Sequence, residues 1–468
     1  MEYKPQPASH PAITPRIIIH GGAGNIQPAD LAPDRYREYR AALLSIITKT
    51  DSFMHAPVKH RQHPSSSSSS SPPLPTALET ATHALSLLED NPLFNAGKGA
   101  VFTRDGINEL EASVMVSRGF AKRGVGVLGL RRVRNPVLLA RAILEHGDAD
   151  LAARPPPAAS EKEQQEEEAS GRRGAGLDVP SAQGHTLLHG PTAEALAARY
   201  GLPLVEPSYF FTQRRWDEHV RGLDREREGG GTVGAATASW SPDEYLPQGT
   251  CGAVALDSEG AVCAATSTGG LTNKLTGRLG DTPVLGAGFW AEEWAEEGDP
   301  TGWERTAEHL RRPGAAIELA GALRGMMADC LPTPFLYAPV AQRARGATTT
   351  TTRSLAVSGT GNGDSFLRVA AAHTVVAIAR FKPASSAEAL AQVAGPGGEL
   401  QRSAGSRWRK TGEGEGGLIG IESVVVRDAE GNVMEKRHEV LQNYNCGGMF
   451  RAWIDEEGKA VVRIWRDE

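Results

Sequence analysis

Two short segments of the chain place a threonine in the same local sequence, Gly-Thr-x-Gly-Ala. The first contains Thr232, and the second contains Thr250, eighteen residues further along. A threonine that becomes the first residue of a new chain carries a hydroxyl nucleophile and, in its own α-amino group, a base with a pKa of roughly 7.7–8. The pattern raises the question whether either threonine does acyl-transfer chemistry as a chain N-terminus, and the surroundings of the two threonines must decide which one.

The residues that follow Thr250 differ from those that follow Thr232. Thr250 precedes a strand, a Ser-Glu-Gly turn and a second strand that ends at Thr268, whereas Thr232 runs into a polar segment typical of a linker. Arg278 and Asp281 come next, and such a pair can hold the carboxylate and the ammonium of a zwitterion. An Arg–Asp pair is more often a plain surface ion pair, so the spacing alone leaves both interpretations open.

Three glycine-rich segments, which begin at His20, Asn95 and Ser358, could turn backbone N–H groups toward a ligand. None of them has the spacing of a phosphate loop. Pro92 stands where a Walker loop needs glycine, and Asp364 stands where a dinucleotide fingerprint needs one. Taken alone, each segment predicts a tight turn. His20 by itself is more often a structural than a catalytic histidine.

The bulk composition is that of an ordinary globular protein. Of the 468 residues, 40% are hydrophobic and 23% are charged, and a net charge of −6 predicts no general attraction to nucleic acid or anionic membranes. The four cysteines are scattered without a CxxC pair, which argues against a zinc site and a disulfide framework. The first residues lack the apolar core of a signal peptide. We therefore expect a cytoplasmic protein with no nucleic-acid and no membrane partner.

Four segments have compositions unlike that of a packed domain. They are rich in Ser, Pro, Gly, Ala or charged residues, and they bury too little apolar surface to offset the ordering of the chain. They span residues 51–75, 152–183, 290–353 and 381–415. Within the third, residues 316–331 have the spacing of one amphipathic helix. The rest of the chain suffices for one large domain, into which these segments are inserted.

Between these segments the sequence alternates between strand and helix patterns. Thr76 has the position of a helix N-cap, and Pro136 has that of a first helical residue. One hairpin is predicted after Thr250 and another near the C-terminus. Strands and helices that come in blocks favour layered α+β packing over a doubly wound sheet. The predicted strands include residues 16–22, 112–116 and 124–130, and the predicted helices include residues 34–48, 76–90 and 136–146.

A set of segments in a fixed order carries a family resemblance. Each is weak alone, but the ordered set is specific: "IIIHGGAGNI", "NPLFNAGKGAVFTRDGINELEASVMV", "GTCGAVALD", "ATSTGGLTNKLTGRLGDTPVLGAGF" and "SGTGNGDSFLR". With them the chain resembles the plant-type L-asparaginase/isoaspartyl peptidase family of N-terminal-nucleophile hydrolases. That resemblance implies an α+β fold, a four-layer αββα sandwich, made as a precursor that cuts itself before a threonine. The two products, here residues 1–249 and 250–468, would stay associated and pair as a dimer of α/β heterodimers.

The resemblance also assigns roles to the threonines and to the charged pair. In the family a second threonine lies eighteen residues after the nucleophile, and Thr268 stands at that distance from Thr250 but not from Thr232. Thr250 would then be the nucleophile, Thr268 would hydrogen-bond and tune it, and Thr232 would be a linker residue. Arg278 and Asp281 would hold the α-carboxylate and the α-ammonium of a small zwitterionic substrate, either an amino acid or a dipeptide.

Further positions carry over from the family. Thr360 and the Gly361 N–H match its oxyanion-hole positions, and Asn95 is expected to reach the active site. Glycosylasparaginases and threonine aspartases carry Asp before the scissile bond, so Gly249 favours the asparaginase/isoaspartyl branch. The implied reaction is hydrolysis of the side-chain amide of L-asparagine, of β-aspartyl dipeptides, or of both, through a β-aspartyl ester on Thr250.

The implied chemistry requires no cofactor. In several relatives, however, backbone carbonyls of one loop bind a structural sodium or potassium ion. Carbonyl oxygens are hard ligands that suit such ions. The matching positions here are Leu88, Glu89, Asn91, Phe94, Ala96 and Lys98.

Three departures from the family pattern keep other functions open. Cys251 replaces a small aliphatic residue beside the nucleophile, Asn362 stands where a threonine is common, and residues 290–353 lengthen a short connection. One alternative is a selective endopeptidase of the threonine-aspartase kind. Another is an unprocessed, non-catalytic relative that acts as a binding or scaffold protein through its insertions.

Overall fold

The computed structural model describes most of the chain and leaves nine segments undescribed. The described ranges are residues 13–29, 31–58, 73–119, 122–152, 179–228, 249–296, 350–382 and 384–466. Thr232 and residues 316–331 lie outside them, as do most of the first three predicted insertions.

The chain divides into two compact units. All candidate site residues belong to the larger one, which comprises residues 13–292, 354–423 and 438–468. In the described part of the smaller unit, Arg353 stacks its guanidinium over the ring of Trp294, 5.3 Å from the ring centroid.

Twelve strands are numbered in chain order within the described residues. They are β1 (Arg16–Gly24), β2 (Leu110–Val116), β3 (Gly124–Leu130), β4 (Leu187–His189), β5 (Cys251–Leu256), β6 (Val262–Thr268), β7 (Phe289–Glu296), β8 (Thr350–Gly361), β9 (Gly416–Arg427), β10 (Val433–Tyr444), β11 (Gly448–Ile454) and β12 (Ala460–Arg463).

Nine α-helices accompany these strands in the described ranges. They are α1 (Pro33–Met54), α2 (Ala77–Glu89), α3 (Pro136–Ala152), α4 (Gly190–Arg199), α5 (Gln213–Glu228), α6 (Gly363–Val369), α7 (Ala371–Phe381), α8 (Ser386–Ala394) and α9 (Glu399–Ala404).

The strands form two sheets. The larger has the order β12-β11-β1-β5-β6-β2-β3-β4, and the smaller has the order β10-β9-β8-β7. In the larger sheet, β1 lies between antiparallel partners β5 and β11, and β3–β4 is a parallel pair. The strand β1 is central and covered on both faces, which explains why its run of three isoleucines, Ile17, Ile18 and Ile19, is fully buried.

The helices α1, α2 and α3 pack on the larger sheet. The helix α2 begins with a complete capping box: Thr76 Oγ1 accepts from the Glu79 N–H, and the Glu79 carboxylate accepts from the Thr76 N–H. It buries Leu78, Leu85 and Leu88 against the core. Proline is tolerated at the first turn of a helix, and Pro33 and Pro136 begin α1 and α3.

The structure confirms the predicted strands, helices and hairpins in kind and places some of their ends differently. The predicted helix 34–48 extends to Met54, and the predicted helix 136–146 extends to Ala152. The two predicted hairpins are β5–β6 and β9–β10. The fold is a mixed one of two sheets and helices, in agreement with the expected α+β class.

Residues 381–415 differ from the expectation that they are a loosely packed insertion. They contain α8 and α9, and Leu390, Val393 and Leu400 are buried. Ser385 caps α8 by accepting from the Glu388 N–H. Small residues at helical spacing pack closely with little apolar area each, so the Gly-, Ser- and Ala-rich composition concealed a packed segment. No helix within the described ranges combines the length and apolarity needed to cross a membrane.

Candidate active site

Gly249 and Thr250 lie in a tightly packed region at the beginning of β5. Thr250 is 5% exposed. A Cβ placed on Gly249 would lie 2.4 Å from the Ala23 nitrogen, 2.5 Å from the Gly22 Cα and 2.5 Å from Thr360 Oγ1. These neighbours are mostly backbone atoms that cannot move aside. The position before Thr250 therefore admits glycine and no larger residue without rearrangement.

The Thr250 hydroxyl has a threonine partner that the sequence analysis did not single out. Thr250 Oγ1 and Thr282 Oγ1 are 3.0 Å apart, and Thr282 is fully buried. The β5–β6 register pairs Cys251 with Ser267, so Thr268 lies at the same end of the hairpin as Thr250. The only signal for Thr282 was its position directly after Asp281.

Thr268 itself makes hydrogen bonds away from Thr250. Its Oγ1 accepts from the Gly270 N–H at 3.1 Å and from Asn95 Nδ2 at 3.4 Å. Asn95 also donates to the Gly270 carbonyl at 2.7 Å and accepts from the Val101 N–H at 3.0 Å. Asn95 thus fixes the turn after β6 against its own loop and contacts Thr268.

His20 holds the backbone of Thr250. Its Nδ1 is 2.9 Å from the Thr250 carbonyl oxygen, and its Nε2 is 2.8 Å from Ser358 Oγ. A carbonyl only accepts, so Nδ1 carries the proton and Nε2 accepts from Ser358. Burial lowers the pKa of His20 to about 3, which keeps the ring neutral at physiological pH. His20 therefore positions the residue that carries the candidate nucleophile.

Thr360 and Gly361 lie at the end of β8, next to Gly249. Thr360 Oγ1 accepts from the Ala23 N–H at 3.2 Å, which leaves its own O–H able to donate elsewhere. Gly361 has φ +145°, and a Cβ on it would lie 2.3 Å from the Glu415 carbonyl oxygen. The loop conformation thus depends on glycine at this position.

Asn362, one of the three departures, has a clear structural use. Its Oδ1 accepts from the Ser365 N–H at 3.0 Å and from Ser365 Oγ at 2.8 Å. Asparagine is among the preferred helix N-caps, and Asn362 caps α6 in this way. The side chain is therefore committed to the helix beside the Gly361 loop.

Arg278 and Asp281 face a common space beside Gly363. A Cβ placed on Gly363 would lie 2.7 Å from Asp281 Oδ1 and 3.3 Å from Arg278 Nη2. Burial raises the pKa of Asp281 to about 7, an effect that Arg278 opposes and that Glu111 and Asp364 add to. Asp281 Oδ2 is buried and has no hydrogen-bond partner among the described residues. A buried carboxylate oxygen without a hydrogen-bond partner is stabilised when it binds a cation.

A buried ion pair lies next to Arg278 and Asp281, which we call the clamp. Lys274 Nζ is 3.2 Å from Glu111 Oε1, and both side chains are almost completely buried. Lys274 also donates to the Glu109 carbonyl at 3.3 Å. Glu111 and Lys274 were not picked out from the sequence, because a glutamate within a strand pattern carries no functional signal of its own.

Asp364 forms an ion pair with Arg278. Arg278 Nη2 is 3.1 Å from Asp364 Oδ1, in an ion pair without hydrogen-bond geometry. The Asp364 side chain is 58% exposed and the Arg278 side chain 20%. Any carboxylate that approaches Arg278 therefore meets a resident negative charge that solvent screens in part.

We expect Asp364→Asn to lower KM for a substrate with an α-carboxylate by about two- to fivefold, the range of an exposed ion pair. Removing the charge frees Arg278 for the substrate, while kcat changes little because Asp364 does not contact the nucleophile. Initial-rate kinetics on asparagine would measure both constants. Glu413→Gln, which removes a carboxylate paired with Arg368 and Arg407, is the matched control. A raised KM would mean that Asp364 instead holds Arg278 in place.

The loop proposed to bind a cation is compact and rich in carbonyl oxygens. A Cβ on Gly97 would lie 2.4 Å from the Glu89 carbonyl oxygen, and one on Gly99 would lie 2.0 Å from that of Phe94. Arg215 donates to the Gly99 carbonyl at 2.8 Å and to the Leu93 carbonyl at 3.4 Å, neither of which is in the expected ligand set. Carbonyl oxygens of this kind are hard ligands that suit an alkali cation. The described residues contain no cluster of three or more His, Cys, Asp or Glu side chains that would hold another metal.

Glu89 carries a buried carboxyl group beneath this loop. Its Oε1 accepts from Ser267 Oγ at 2.7 Å and from the Val137 N–H at 3.0 Å. Its Oε2 is buried and has no hydrogen-bond partner among the described residues. Burial raises the pKa of Glu89 to about 8, so the folded protein holds this proton more tightly than the unfolded chain does.

The Glu89 pKa shift predicts a pH-dependent stability. The contribution of Glu89 is fully present below the unfolded pKa of 4.5 and is lost as the pH rises through about 8. Glu89→Gln cannot lose that proton. We therefore expect the Tm of Glu89→Gln minus the Tm of the wild type to increase by several degrees from about pH 5 to about pH 9. Thermal unfolding at several pH values would measure this gain, with the exposed Glu388→Gln as control; parallel curves for Glu89→Gln and wild type would contradict it.

Cys251 is fully buried, next to Thr250 along the chain. Burial raises the pKa of its thiol well above the usual value. The residue therefore acts as a small buried hydrophobe.

A protein family and several known proteins are similar in sequence to this chain. The family described as Asparaginase matches residues 73–156 and 178–297. The isoaspartyl peptidase of Escherichia coli (strain K12) is 31% identical over 453 residues, which cover 97% of this chain and 96% of that protein. A putative isoaspartyl peptidase/L-asparaginase of Dictyostelium discoideum is 31% identical over 329 residues, 66% of this chain and 78% of that protein.

A third relative is the plant-type L-asparaginase of Pyrococcus furiosus, which is 32% identical over 281 residues, 60% of this chain and 71% of that protein. The similarity to the bacterial relative extends over nearly the whole of both chains, and the family match includes Thr250, Thr268, Arg278 and Asp281. The chain therefore belongs to the plant-type L-asparaginase/isoaspartyl peptidase family and is a hydrolase.

Proposed function

We propose that the protein is an autoprocessing threonine hydrolase that cleaves the side-chain amide of L-asparagine and the β-aspartyl bond of isoaspartyl dipeptides. The observation that carries this proposal is the meeting of two groups of residues at one site. The Thr250 hydroxyl lies 3.0 Å from the Thr282 hydroxyl, and Gly249 before it packs against Thr360. The Arg278–Asp281 pair directly precedes Thr282 in the same segment. The names of the relatives, isoaspartyl peptidase and plant-type L-asparaginase, support the same two substrates.

Self-cleavage begins from the Thr250 hydroxyl in the uncut chain. Its oxygen attacks the Gly249 carbonyl carbon, and the bond from that carbon to the Thr250 nitrogen breaks, which leaves an ester on Oγ and a free α-amine. Water then hydrolyses the ester and releases the Gly249 carboxylate. His20 supports this step, because its hydrogen bond to the Thr250 carbonyl holds the attacking residue in place. The products are residues 1–249 and 250–468.

Substrate hydrolysis uses the new α-amine as the general base. It takes the proton from Thr250 Oγ as the oxygen attacks the side-chain carbonyl carbon of the substrate. The Gly361 N–H and the Thr360 O–H stabilise the oxyanion; the loss of one such donor typically costs about 100- to 1,000-fold in rate. The protonated amine gives its proton to the leaving nitrogen, and water then hydrolyses the β-aspartyl ester. We assign Thr268, beside Thr250 at the end of the hairpin, to tuning the nucleophile together with Thr282.

Arg278 and Asp281 define the substrate as a zwitterion. Arg278 binds the α-carboxylate, and Asp281 binds the α-ammonium through its unpaired, buried Oδ2. The pair fixes the distance from the charged end of the substrate to the carbon attacked by Thr250. Substrates with a blocked α-amine leave the Asp281 carboxylate buried without a cation, so we expect them to be rejected.

We infer that the layers stack in the order helix, sheet, sheet, helix. The helices α1, α2 and α3 pack on the larger sheet, and Phe366 of α6 packs its ring against Gly359 and Gly416 of the smaller sheet. The two sheets meet at the bond between His20 and Ser358. We further propose that the processed protein forms a dimer of α/β heterodimers, and that the loop carbonyls of residues 88–98 bind sodium or potassium without a part in the chemistry.

Two measurements test the function against its alternatives. Denaturing electrophoresis with N-terminal sequencing should give two fragments, one of which begins Thr-Cys-Gly-Ala. Hydrolysis rates should be measured with the processed protein on asparagine, on β-Asp-Leu and on intact proteins. A lasting uncut chain without turnover would favour the scaffold alternative. Cleavage of proteins without hydrolysis of either small substrate would favour the endopeptidase alternative.

A further inference from the structure

A cavity of about 440 Å³ lies beside the proposed oxyanion loop. Its wall includes Asn25, Trp408, Arg409, Glu415 and Asn445. Its volume lies toward the small end of ligand pockets, which run from roughly 300 to 1,000 Å³. None of its lining residues has a role in the reaction described above.

Two of the residues that line the cavity are neighbours of residues around the cleavage site. Asn25 follows the segment that contacts Gly249, since Ala23 packs against Gly249 and donates its N–H to Thr360 Oγ1. On the other wall, the Glu415 carbonyl accepts from the Asn362 N–H at 2.9 Å. Self-cleavage turns Gly249 into a chain end. The cavity therefore lies near the place where the leaving group of the substrate would be released, if Thr360 holds the substrate carbonyl as proposed.

The walls offer one fixed positive charge, an indole ring and neutral polar groups. Arg409 is exposed, and no ion pair with a carboxylate is described for it. Burial raises the pKa of the neighbouring Glu415 to about 7, which weakens its competition for Arg409 near neutral pH. Both polar atoms of the Asn445 side chain already make hydrogen bonds: Oδ1 accepts from the Gly416 N–H at 2.9 Å, and Nδ2 donates to the Gly414 carbonyl at 2.8 Å. Such a site suits a small anion that carries an apolar group.

The two proposed substrates differ in what leaves. Asparagine releases ammonia, which needs no site. A β-aspartyl dipeptide releases an amino acid, which carries an α-carboxylate and a side chain. When the bond from the β-carbonyl carbon to this amino acid breaks, its nitrogen takes a proton from the Thr250 ammonium, while the acyl carbon stays on Thr250 Oγ. The leaving amino acid has the two features for which the cavity walls are suited.

We propose that this cavity is the subsite for the leaving amino acid of β-aspartyl dipeptides, with Arg409 binding its α-carboxylate and Trp408 packing on its side chain. The proposal rests on the proposed function. Arg409 is thus a specificity residue that acts on the dipeptide and not on ammonia release.

The test compares kcat/KM for three substrates: L-asparagine, β-Asp-Leu and β-aspartyl-leucinamide, whose leaving group lacks the carboxylate. In Arg409→Gln, the preference for β-Asp-Leu over asparagine should fall by on the order of tenfold, the effect of losing a hydrogen bond to a charged group. In the same variant, the preference for β-Asp-Leu over β-aspartyl-leucinamide should fall by the same factor. Arg407→Gln is the matched control, because Arg407 is exposed, lies two residues away and is paired with Glu413 at 2.7 Å.

A second variant tests the apolar wall. In Trp408→Ala, the preference for β-Asp-Leu over β-Asp-Gly should fall. The preference for β-Asp-Leu over β-aspartyl-leucinamide should stay as it is in the wild type. Equal losses on all substrates in Arg409→Gln, or unchanged ratios, would overturn the subsite. Hydrolysis of asparagine without hydrolysis of β-Asp-Leu by the wild type would overturn the subsite and leave the asparaginase activity standing. Hydrolysis of neither would overturn both.

Discussion

Thr250→Ala is expected to leave one uncut chain with no detectable hydrolysis of asparagine or β-Asp-Leu. Both reactions proposed for this site begin with the same oxygen, so its removal stops self-cleavage and turnover together. Loss of a covalent nucleophile should lower kcat by at least about 10⁴-fold. Alanine keeps the backbone carbonyl that His20 binds, and the lost hydroxyl leaves only the Thr282 hydroxyl without its partner. The variant should therefore fold, and electrophoresis and initial rates measure both losses.

Thr232→Ala is the matched control for this prediction, because Thr232 lies in the same Gly-Thr-x-Gly-Ala context. It should process and turn over as the wild type does, with a new N-terminus at Thr250. Cleavage of the Thr250→Ala chain at its usual position would refute the assignment of the nucleophile. Loss of both activities in Thr232→Ala would move the nucleophile to that residue.

The elements around the nucleophile could be predicted because their determinants are local. The alternating pattern after Thr250, the Ser-Glu-Gly turn and the cap at Thr76 each depend on residues within a few positions of one another. Spacing along one hairpin also decided between the two threonines. The β5–β6 register does place Thr250 and Thr268 at the same end of the hairpin.

The contacts that complete the site could not be predicted, because they join residues far apart in the chain. His20 lies 230 residues from the Thr250 carbonyl that it binds, and Ser358 lies 338 residues from His20. A lone histidine in a glycine-rich segment carries no sign of either partner. The pairing of Thr282 with the Thr250 hydroxyl likewise follows from the approach of a turn to the hairpin, which no periodicity encodes.

Composition was also a poor guide to packing in residues 381–415. The argument from low apolar content assumes that a segment must supply its own large side chains. Here alanines let helices approach closely, so that a few residues such as Leu390 and Val393 suffice to bury the segment. The inference was therefore wrong where small residues had helical spacing, and it lies outside the described residues for most of the other three segments.

Arg278→Leu is expected to separate the two reactions of the site. Self-cleavage should proceed, because the Gly249–Thr250 bond carries no free α-carboxylate for Arg278 to bind. Hydrolysis of asparagine should fall by about 10²- to 10³-fold in kcat/KM, the effect of removing one partner of a desolvated charge pair. The substrate carboxylate would then lie next to Asp364 without the guanidinium that pairs with it.

The comparison of asparagine with its α-amide makes this prediction specific to the carboxylate. The wild type should prefer asparagine strongly, and Arg278→Leu should lose most of that preference because the amide never used the guanidinium. Arg368→Leu is the control, since Arg368 pairs with Glu413 at 3.0 Å and has no role in the clamp. An equal loss on both substrates would mean that Arg278 supports the fold of the site, and an uncut Arg278→Leu chain would mean that the clamp also shapes the cleavage site. Normal self-cleavage of Arg278→Leu, together with loss of its preference for asparagine over the α-amide, is the result that only a substrate clamp produces.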